Sequence, residues 1–405
     1  MSRSLKLDVL RNFVMNFFSY SLPTFVLQFV VQPIIAKKIG SDLNGQYLTL
    51  MSLNYFLVAI TANVLNTVRL LQNAIYEKKG YSGDFNIFLS IYACLFVLVL
   101  PLGYCFFCKK VDILDITLYI IIGLLYLYHD YIFAQYRIQL NFKKILINNG
   151  VLVFGYLIGI ALFLYVIQKW QIIIITSYLF GGVFDYYNTT FIREPLVKTP
   201  LFRITAQKIG SLTCANALNS SISYFDKLLL YPLLGGSQVS VYNTASLVGK
   251  MLILISAPLN SFVLSYLVRM NTIKIKIQRK YLVGAIGLLT IVYLGCVLIG
   301  YPLTNLLYPD WARESQQFIP ITVAASLFTL VGNLLNTIII RFYKTSYQIA
   351  VQGANLALYL VLSLSFLYKW GLFGFSIGVA TVAFIKMIVL AVVIRFSHIQ
   401  EKSND

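Results

Sequence analysis

Gly40-Ser-Asp-Leu-Asn-Gly-Gln-Tyr47 and Gly235-Gly-Ser-Gln-Val-Ser-Val-Tyr242 share one frame, a glycine and a tyrosine separated by six residues. Each stretch closes one apolar run and opens the next. The offset between them is about 195 residues in a chain of 405. Shifted by that amount, the first six apolar runs land close to the last six. A second echo agrees: Phe163-Leu164-Tyr165 with Lys169-Trp170 against Phe366-Leu367-Tyr368-Lys369-Trp370. The chain reads as a duplication of one helical unit.

The runs themselves are membrane spans. A span needs about 20 mostly apolar residues. Twelve such runs lie near 12–36, 46–72, 85–107, 114–134, 146–167, 172–192, 209–233, 241–268, 281–304, 317–340, 346–368 and 372–394. The composition agrees: 59% hydrophobic, 11% charged, mean hydropathy +0.78. Soluble domains carry about 25% charged residues, so this chain lacks the polar surface to cover a water-soluble core. The expected fold is an all-α membrane protein of about twelve spans, in two six-helix bundles related by pseudo-two-fold symmetry. The expected halves are 1–200 and 201–405. Six spans per half give both halves the same orientation, a design in which a transport path runs between them.

The net charge of +18 is explained by topology rather than by nucleic acid. With a cytoplasmic N-terminus, inner segments hold roughly 21 Lys and Arg and outer segments roughly 7, a positive-inside bias. Both termini are then cytoplasmic. No basic, aromatic-rich soluble stretch is long enough for a nucleic-acid-binding domain. Arg3, Lys6 and Arg11 precede a long apolar run without a small-x-small cleavage site, so this run reads as a retained span. Cys105 and Cys108 have CxxC spacing, but no second pair follows and the histidines are only His129 and His398. The five cysteines read as small apolar packing groups. No Gly-rich phosphate loop, HExxH or metal-ligand cluster appears, so no cofactor is expected beyond proton or sodium coupling.

Charge inside a span is costly and marks function. The deep positions are Asp185 in span six, Lys250 in span eight and Lys386 in span twelve. Arg69, His129 and Asp130 lie toward the inner ends of spans two and four. Asp226 and Lys227 lie in the outer half of span seven; as helix neighbours, they are not expected to face each other. Lys250 sits about nine residues, roughly 14 Å, into its span, too deep to snorkel easily. Asp185 and Asp226 are the candidates for ion coupling. Asn16, Asn54, Asn63, Asn66, Asn216 and Asn219 fit either sugar hydroxyls or helix–helix ties. Gly155-x3-Gly159 and Gly374-x3-Gly378 fit close helix packing. Pro23, Pro33, Pro232 and Pro258 are expected to bend or loosen their helices.

The twelve spans, the two halves and the segment Ser223-Tyr-Phe-Asp226-Lys227 through Gly235-Gly236 to Tyr242-Asn-Thr-Ala245 resemble polysaccharide flippases of the Wzx type. These belong to the multidrug/oligosaccharidyl-lipid/polysaccharide exporter superfamily. The Gly40, Gly45-Gln46-Tyr47 stretch is similar to the matching feature after span one. The resemblance implies a MATE-like, V-shaped pair of bundles with a cationic cavity. It implies alternating access and an undecaprenyl-diphosphate-linked oligosaccharide as substrate, moved to the outer leaflet of a bacterial inner membrane for O-antigen or capsule. Membrane lipids, and polysaccharide polymerase or chain-length machinery, are the partners it implies. Basic cavity character carries over to Lys250, Arg69, Lys227 and Lys386. A drug/cation antiporter of the same superfamily and a membrane polysaccharide polymerase are the alternatives. The first would place acids in the cavity, and the second would show a large outer loop.

Overall fold

A computed structural model describes residues 21–108, 110–267, 279–342 and 345–396. Arg3, Lys6, Arg11, Asn16 and His398 lie outside these residues. Among the described residues there is no strand. The helices are α1 (21–39), α2 (41–60), α3 (Ala62–Lys79), α4 (Asp84–Phe107), α5 (Ile113–Ile138), α6 (Phe142–Tyr165), α7 (Gln171–Asn188), α8 (Phe202–Leu234), α9 (Gly236–Ala245), α10 (Leu247–Leu267), α11 (Arg279–Leu307), the short α12 (Ala312–Gln316), α13 (Ile319–Phe342), α14 (345–369) and α15 (372–396). α2 with α3, and α9 with α10, each form one interrupted pass. The passes then fall at the twelve expected places.

The interruptions have local causes. Gly40 and Gly235 break the backbone at positive φ. Trp370 and Gly371 turn the chain between α14 and α15, with Gly371 again at positive φ. In α1 a π turn, Leu27–Val31, precedes Pro33. Proline has no N–H to donate and its ring crowds the carbonyl four residues back, and a widened turn relieves both. Pro232 is carried inside α8.

The chain divides into two compact units, Met1–Leu233 and Leu234–Asp405. α8 packs with the first unit. Thr213 and Asn216 of α8 donate to the Ile60 and Ala59 carbonyls at 3.2 and 3.3 Å. Phe202 stacks on Phe88 and Phe225 meets Phe56.

In the first unit α6 and α7 meet along small residues. A Cβ at Gly155 would lie 2.6 Å from the Ser177 Cα, and one at Gly159 would lie 2.7 Å from the Ile173 Cα. In the second unit the same device sits on the other arm of a hairpin, where a Cβ at Gly378 of α15 would lie 2.7 Å from the Ser363 Cα of α14. Close backbone approach is the membrane route to helix association, since lipid supplies no hydrophobic drive between helices.

The α7–α8 connection, 189–201, is fastened to the first unit. Asn86 donates to the Phe191 and Glu194 carbonyls at 2.9 Å each. Gln135 accepts from the Thr190 and Phe191 amides. Asp84, fully buried, accepts from the Thr199 amide at 2.7 Å and from Tyr76 at 2.7 Å. The connection also presses on Gly83, where a Cβ would lie 2.4 Å from the Pro195 carbonyl oxygen.

Candidate functional site: buried charge in each unit

Asp185 of α7 is fully buried. It lies on the stripe Ile174, Tyr178, Gly181 and Asp185, all buried and spaced for one helix face. Its Oδ1 accepts from Asn148 Nδ2 at 2.6 Å and from the Tyr136 hydroxyl at 2.9 Å. Its Oδ2 lies 3.0 Å from His129 Nδ1. The His129 ring is held edge-on between Phe133 and Tyr178. Two neutral donors and an imidazole thus occupy the carboxylate, an arrangement that can hold a charge or pass a proton between Asp185 and His129.

Beside this cluster lies a tyrosine band. Tyr126 and Tyr178 have ring centroids 3.9 Å apart, and Tyr55 packs on Tyr126 and Tyr224 at 5.5 and 6.1 Å. Asp130 is half-buried at its edge. Asn66 donates to the Asp130 carbonyl and accepts from Arg137, so here an asparagine ties helices together. Asn54 is fully buried, and both of its amide atoms lack a partner.

Arg69 is a fastener. Its guanidinium makes two hydrogen bonds to Glu194, at 2.5 and 2.9 Å. It also lies over Phe191 and Phe85, at 4.2 and 4.7 Å. Lys227 and Asp226 differ from the expectation for helix neighbours. Lys227 Nζ lies 3.1 Å from Asp226 Oδ1, which also accepts from the Lys227 amide at 2.8 Å. The long lysine stem curls back because, away from water, the adjacent carboxylate is the nearest counter-charge. Outside the spans, Lys169 bridges to Asp112 and Asp115 at 3.0 and 2.6 Å. Its hydrogen bond holds the Asp112 carboxyl below the usual range, and the bond to Asp115 raises Lys169.

In the second unit, Lys250 of α10 is half-buried and donates to Asn243 Oδ1 of α9 at 2.5 Å, across the break at Ser246. α9 is locked by Trp311, which donates to Thr244, and by Thr322, which donates to the Ala245 carbonyl. Gly249 lets α10 come close to α13, as a Cβ there would strike Ser326. Lys386 of α15 lies in a groove of about 420 Å³ lined mainly by Ala350, Val351, Ala354, Leu358, Ile385 and Val389. Its Nζ has Gln352 Oε1 at 3.5 Å, the outer limit for a hydrogen bond. Among the described residues no carboxylate lies within 4.0 Å of it.

Sequence reading missed Asn148, Tyr136 and Glu194. A signal for Asn148 was present: Asn148, Leu152, Gly155 and Gly159 form one stripe on α6, all buried. The glycines mark that stripe as the face toward α7. Nothing local pairs Glu194 with Arg69, 125 residues away.

No protein-family model and no curated protein matches the chain. Solved structures do. The chain is similar to an inward-facing multidrug resistance MATE family transporter of the MOP superfamily, at 12% identity, over 95% of this chain and 100% of that one, with a TM-score of 0.65. It is similar to the lipid II flippase MurJ in an inward closed conformation, at 14% identity, over 95% and 87%, with a TM-score of 0.67. It is also similar to the Vibrio cholerae MATE transporter VcmN in the bent form, at 13% identity, over 97% and 96%, with a TM-score of 0.59. These neighbours are transporters and a flippase rather than enzymes. The chain is a multi-pass α-helical membrane protein with the fold shared by MATE transporters of the MOP superfamily and the lipid II flippase MurJ.

Proposed function

We propose that the chain is a flippase that carries an undecaprenyl-diphosphate-linked oligosaccharide from the cytoplasmic to the outer leaflet of a bacterial inner membrane. The polymer it serves is a surface polysaccharide such as O-antigen or capsule. The observation that carries this reading is Lys386 in the second unit, with Lys250 as a second basic group there. Lys250 is half-buried against an amide, and Lys386 has no carboxylate nearby among the described residues. For Lys386, a cation held in hydrocarbon with no carboxylate near it among the described residues is costly, and a diphosphate would supply the missing charge. The fold's neighbours include a lipid II flippase, which supports a lipid-linked cargo. Both termini face the cytoplasm in this reading, and rocking of one half against the other gives alternating access. Arg69 and Lys227, already paired with Glu194 and Asp226, contribute to cavity charge only when those pairs open. Asp185 is the coupling group, with Asp226 the second site.

A drug or organic-cation antiporter is the second reading. Asp130, half-buried beside Tyr55, Tyr178 and Tyr224, favours it, since an acid among aromatic faces suits a cation. The test is surface-glycan display in a strain lacking the gene, complemented with wild type, Lys250→Ala or Lys250→Arg. The flippase reading expects lipid-linked repeat units to accumulate on the inner leaflet without the gene. It expects rescue by wild type and Lys250→Arg and failure of Lys250→Ala. Normal glycan display together with new drug sensitivity would replace it with the antiporter reading.

A further inference from the structure

We infer that the groove between α14 and α15 seats one hydrocarbon chain of a polyprenyl-phosphate lipid, with the lipid's phosphate held at Lys386. The inference rests on the flippase reading and locates where the lipid part of the substrate is taken.

The groove joins two chemistries that a lipid phosphate also joins. Its walls are Ala350, Val351, Ala354 and Leu358 on one helix and Ile385 and Val389 on the other. Its polar lining groups are Lys386 and Asn355, and the Gln352 amide lies beside Lys386. Leu358 and Val389 remain 38% and 43% exposed, so the slot is open along its length. The ammonium has one long contact to an uncharged oxygen. A bound phosphate would give it a charged acceptor, and the two amides would donate to the remaining oxygens.

The groove, about 420 Å³, takes a segment of one hydrocarbon chain beside the ammonium, and charge complementarity to Lys386 selects a lipid that carries a phosphate.

The test uses the full chain in proteoliposomes and three photoreactive probes with the same diazirine in the chain: a polyprenyl monophosphate, the matching polyprenol, and phosphatidylglycerol. Labelled peptides are mapped by mass spectrometry. The expected result is labelling of 350–358 and 385–389 by the polyprenyl phosphate, at least tenfold above either other probe. Lys386→Gln is expected to reduce it tenfold or more, Lys386→Arg to retain it, and Leu358→Trp, which fills the slot, to remove it. Equal labelling by polyprenol, or no effect of Lys386→Gln, overturns the phosphate assignment. Equal labelling by phosphatidylglycerol means a resident phospholipid and overturns the proposal. If labelling follows expectation but glycan display is normal without the gene, the groove stands and the flippase reading falls. If display requires the gene and labelling maps elsewhere, the reverse holds.

Discussion

Gly40 and Gly235 hold nearly the same backbone conformation, φ +81° and ψ 173° in one, φ +87° and ψ 171° in the other. Each is followed by a tyrosine seven residues on that packs edge-on against an aromatic ring of its own unit. Tyr47 meets Trp170 at 4.8 Å, and Tyr242 meets Phe375 at 5.5 Å. The shared frame in the sequence is thus a shared corner in the structure, built twice. It starts the next helix from the same backbone conformation and seats that helix's second turn against an aromatic side chain.

That corner lies in a region of φ and ψ open essentially to glycine alone, where other residues cost about 1–3 kcal/mol. A Cβ at either glycine meets nothing within 4 Å, so the cost is backbone strain rather than a clash. Gly40→Ala and Gly235→Ala are each expected to lower the melting temperature of the purified protein, by similar amounts. Gly287→Ala, in helical backbone with open space, is expected to be neutral or stabilising by up to about 1 kcal/mol. Thermal unfolding in detergent checks all three.

The Arg69–Glu194 pair predicts a folding defect rather than a transport defect. Breaking a buried ion pair by removing one partner costs about 3–5 kcal/mol; Glu194 keeps 15% exposure, which places this pair at the low end. Arg69→Ala is expected to reduce yield and melting temperature strongly. Arg69→Lys recovers part, since it loses the two-pronged geometry. Arg69→Met with Glu194→Leu recovers more than either single change. Lys250→Ala, measured alongside, is expected to melt near wild type.

The helical passes, the duplication and the close-packing glycines were legible because each rests on local pattern: apolar length, a repeated frame, a four-residue spacing. The fate of the charges was not. Arg69, Lys227 and Lys386 look alike in sequence, as basic residues inside apolar runs. Arg69 is neutralised by a residue 125 positions away, Lys227 by its own neighbour and Lys386 by no carboxylate among the described residues. Partnering is a tertiary property, and sequence spacing does not encode it. The packing of α8 is tertiary in the same way, made by ring stacking and side-chain bonds to distant carbonyls of the first unit.

The Lys169 bridge predicts a pH window. Asp112 is lowered on folding, so its contribution is complete above the ordinary carboxylate range and fades as pH falls through the lowered value. Lys169 is raised, so its contribution is complete below its ordinary value and is lost as pH climbs through the raised one. The tether between Asp112 and Lys169 is therefore intact across neutral pH and is released only as pH falls below the ordinary carboxylate range, through the lowered Asp112 value. Trp170 adjoins Lys169 and reports on it. With Trp311 and Trp370 replaced by Phe, Trp170 fluorescence is expected to stay constant through the ordinary carboxylate range and to change only at more acid pH, and Lys169→Met is expected to show the released signal already at neutral pH.

Asp185 allows a substitution that separates folding from coupling. Asn148 donates its Nδ2 to Asp185, while its own Oδ1 is buried without a partner. In Asp185→Asn the new amide has hydrogens where the carboxylate had only acceptors. A half-turn of the Asn148 amide presents its idle oxygen to them, so the pair re-forms with donor and acceptor exchanged. The two hydrogens of the new amide then reach Asn148 Oδ1 and the Tyr136 oxygen, which share the Oδ1 side in wild type, and the remaining oxygen keeps His129 as its neighbour. The variant is therefore expected to fold with a loss of about 1 kcal/mol or less, one hydrogen bond's net worth. It cannot take up or release a proton at that position. If the His129–Asp185 pair couples movement to protons, proteoliposomes containing Asp185→Asn will transport at a rate independent of an imposed pH gradient, while wild type responds to it. A sodium dependence that survives in wild type at zero pH gradient, and is lost in Asp185→Asn, would instead make the carboxylate a cation ligand. Asn148→Leu removes the adjusting amide, so Asp185→Asn in that background is expected to lose folding as well; additive melting shifts would show that the amide exchange does not occur.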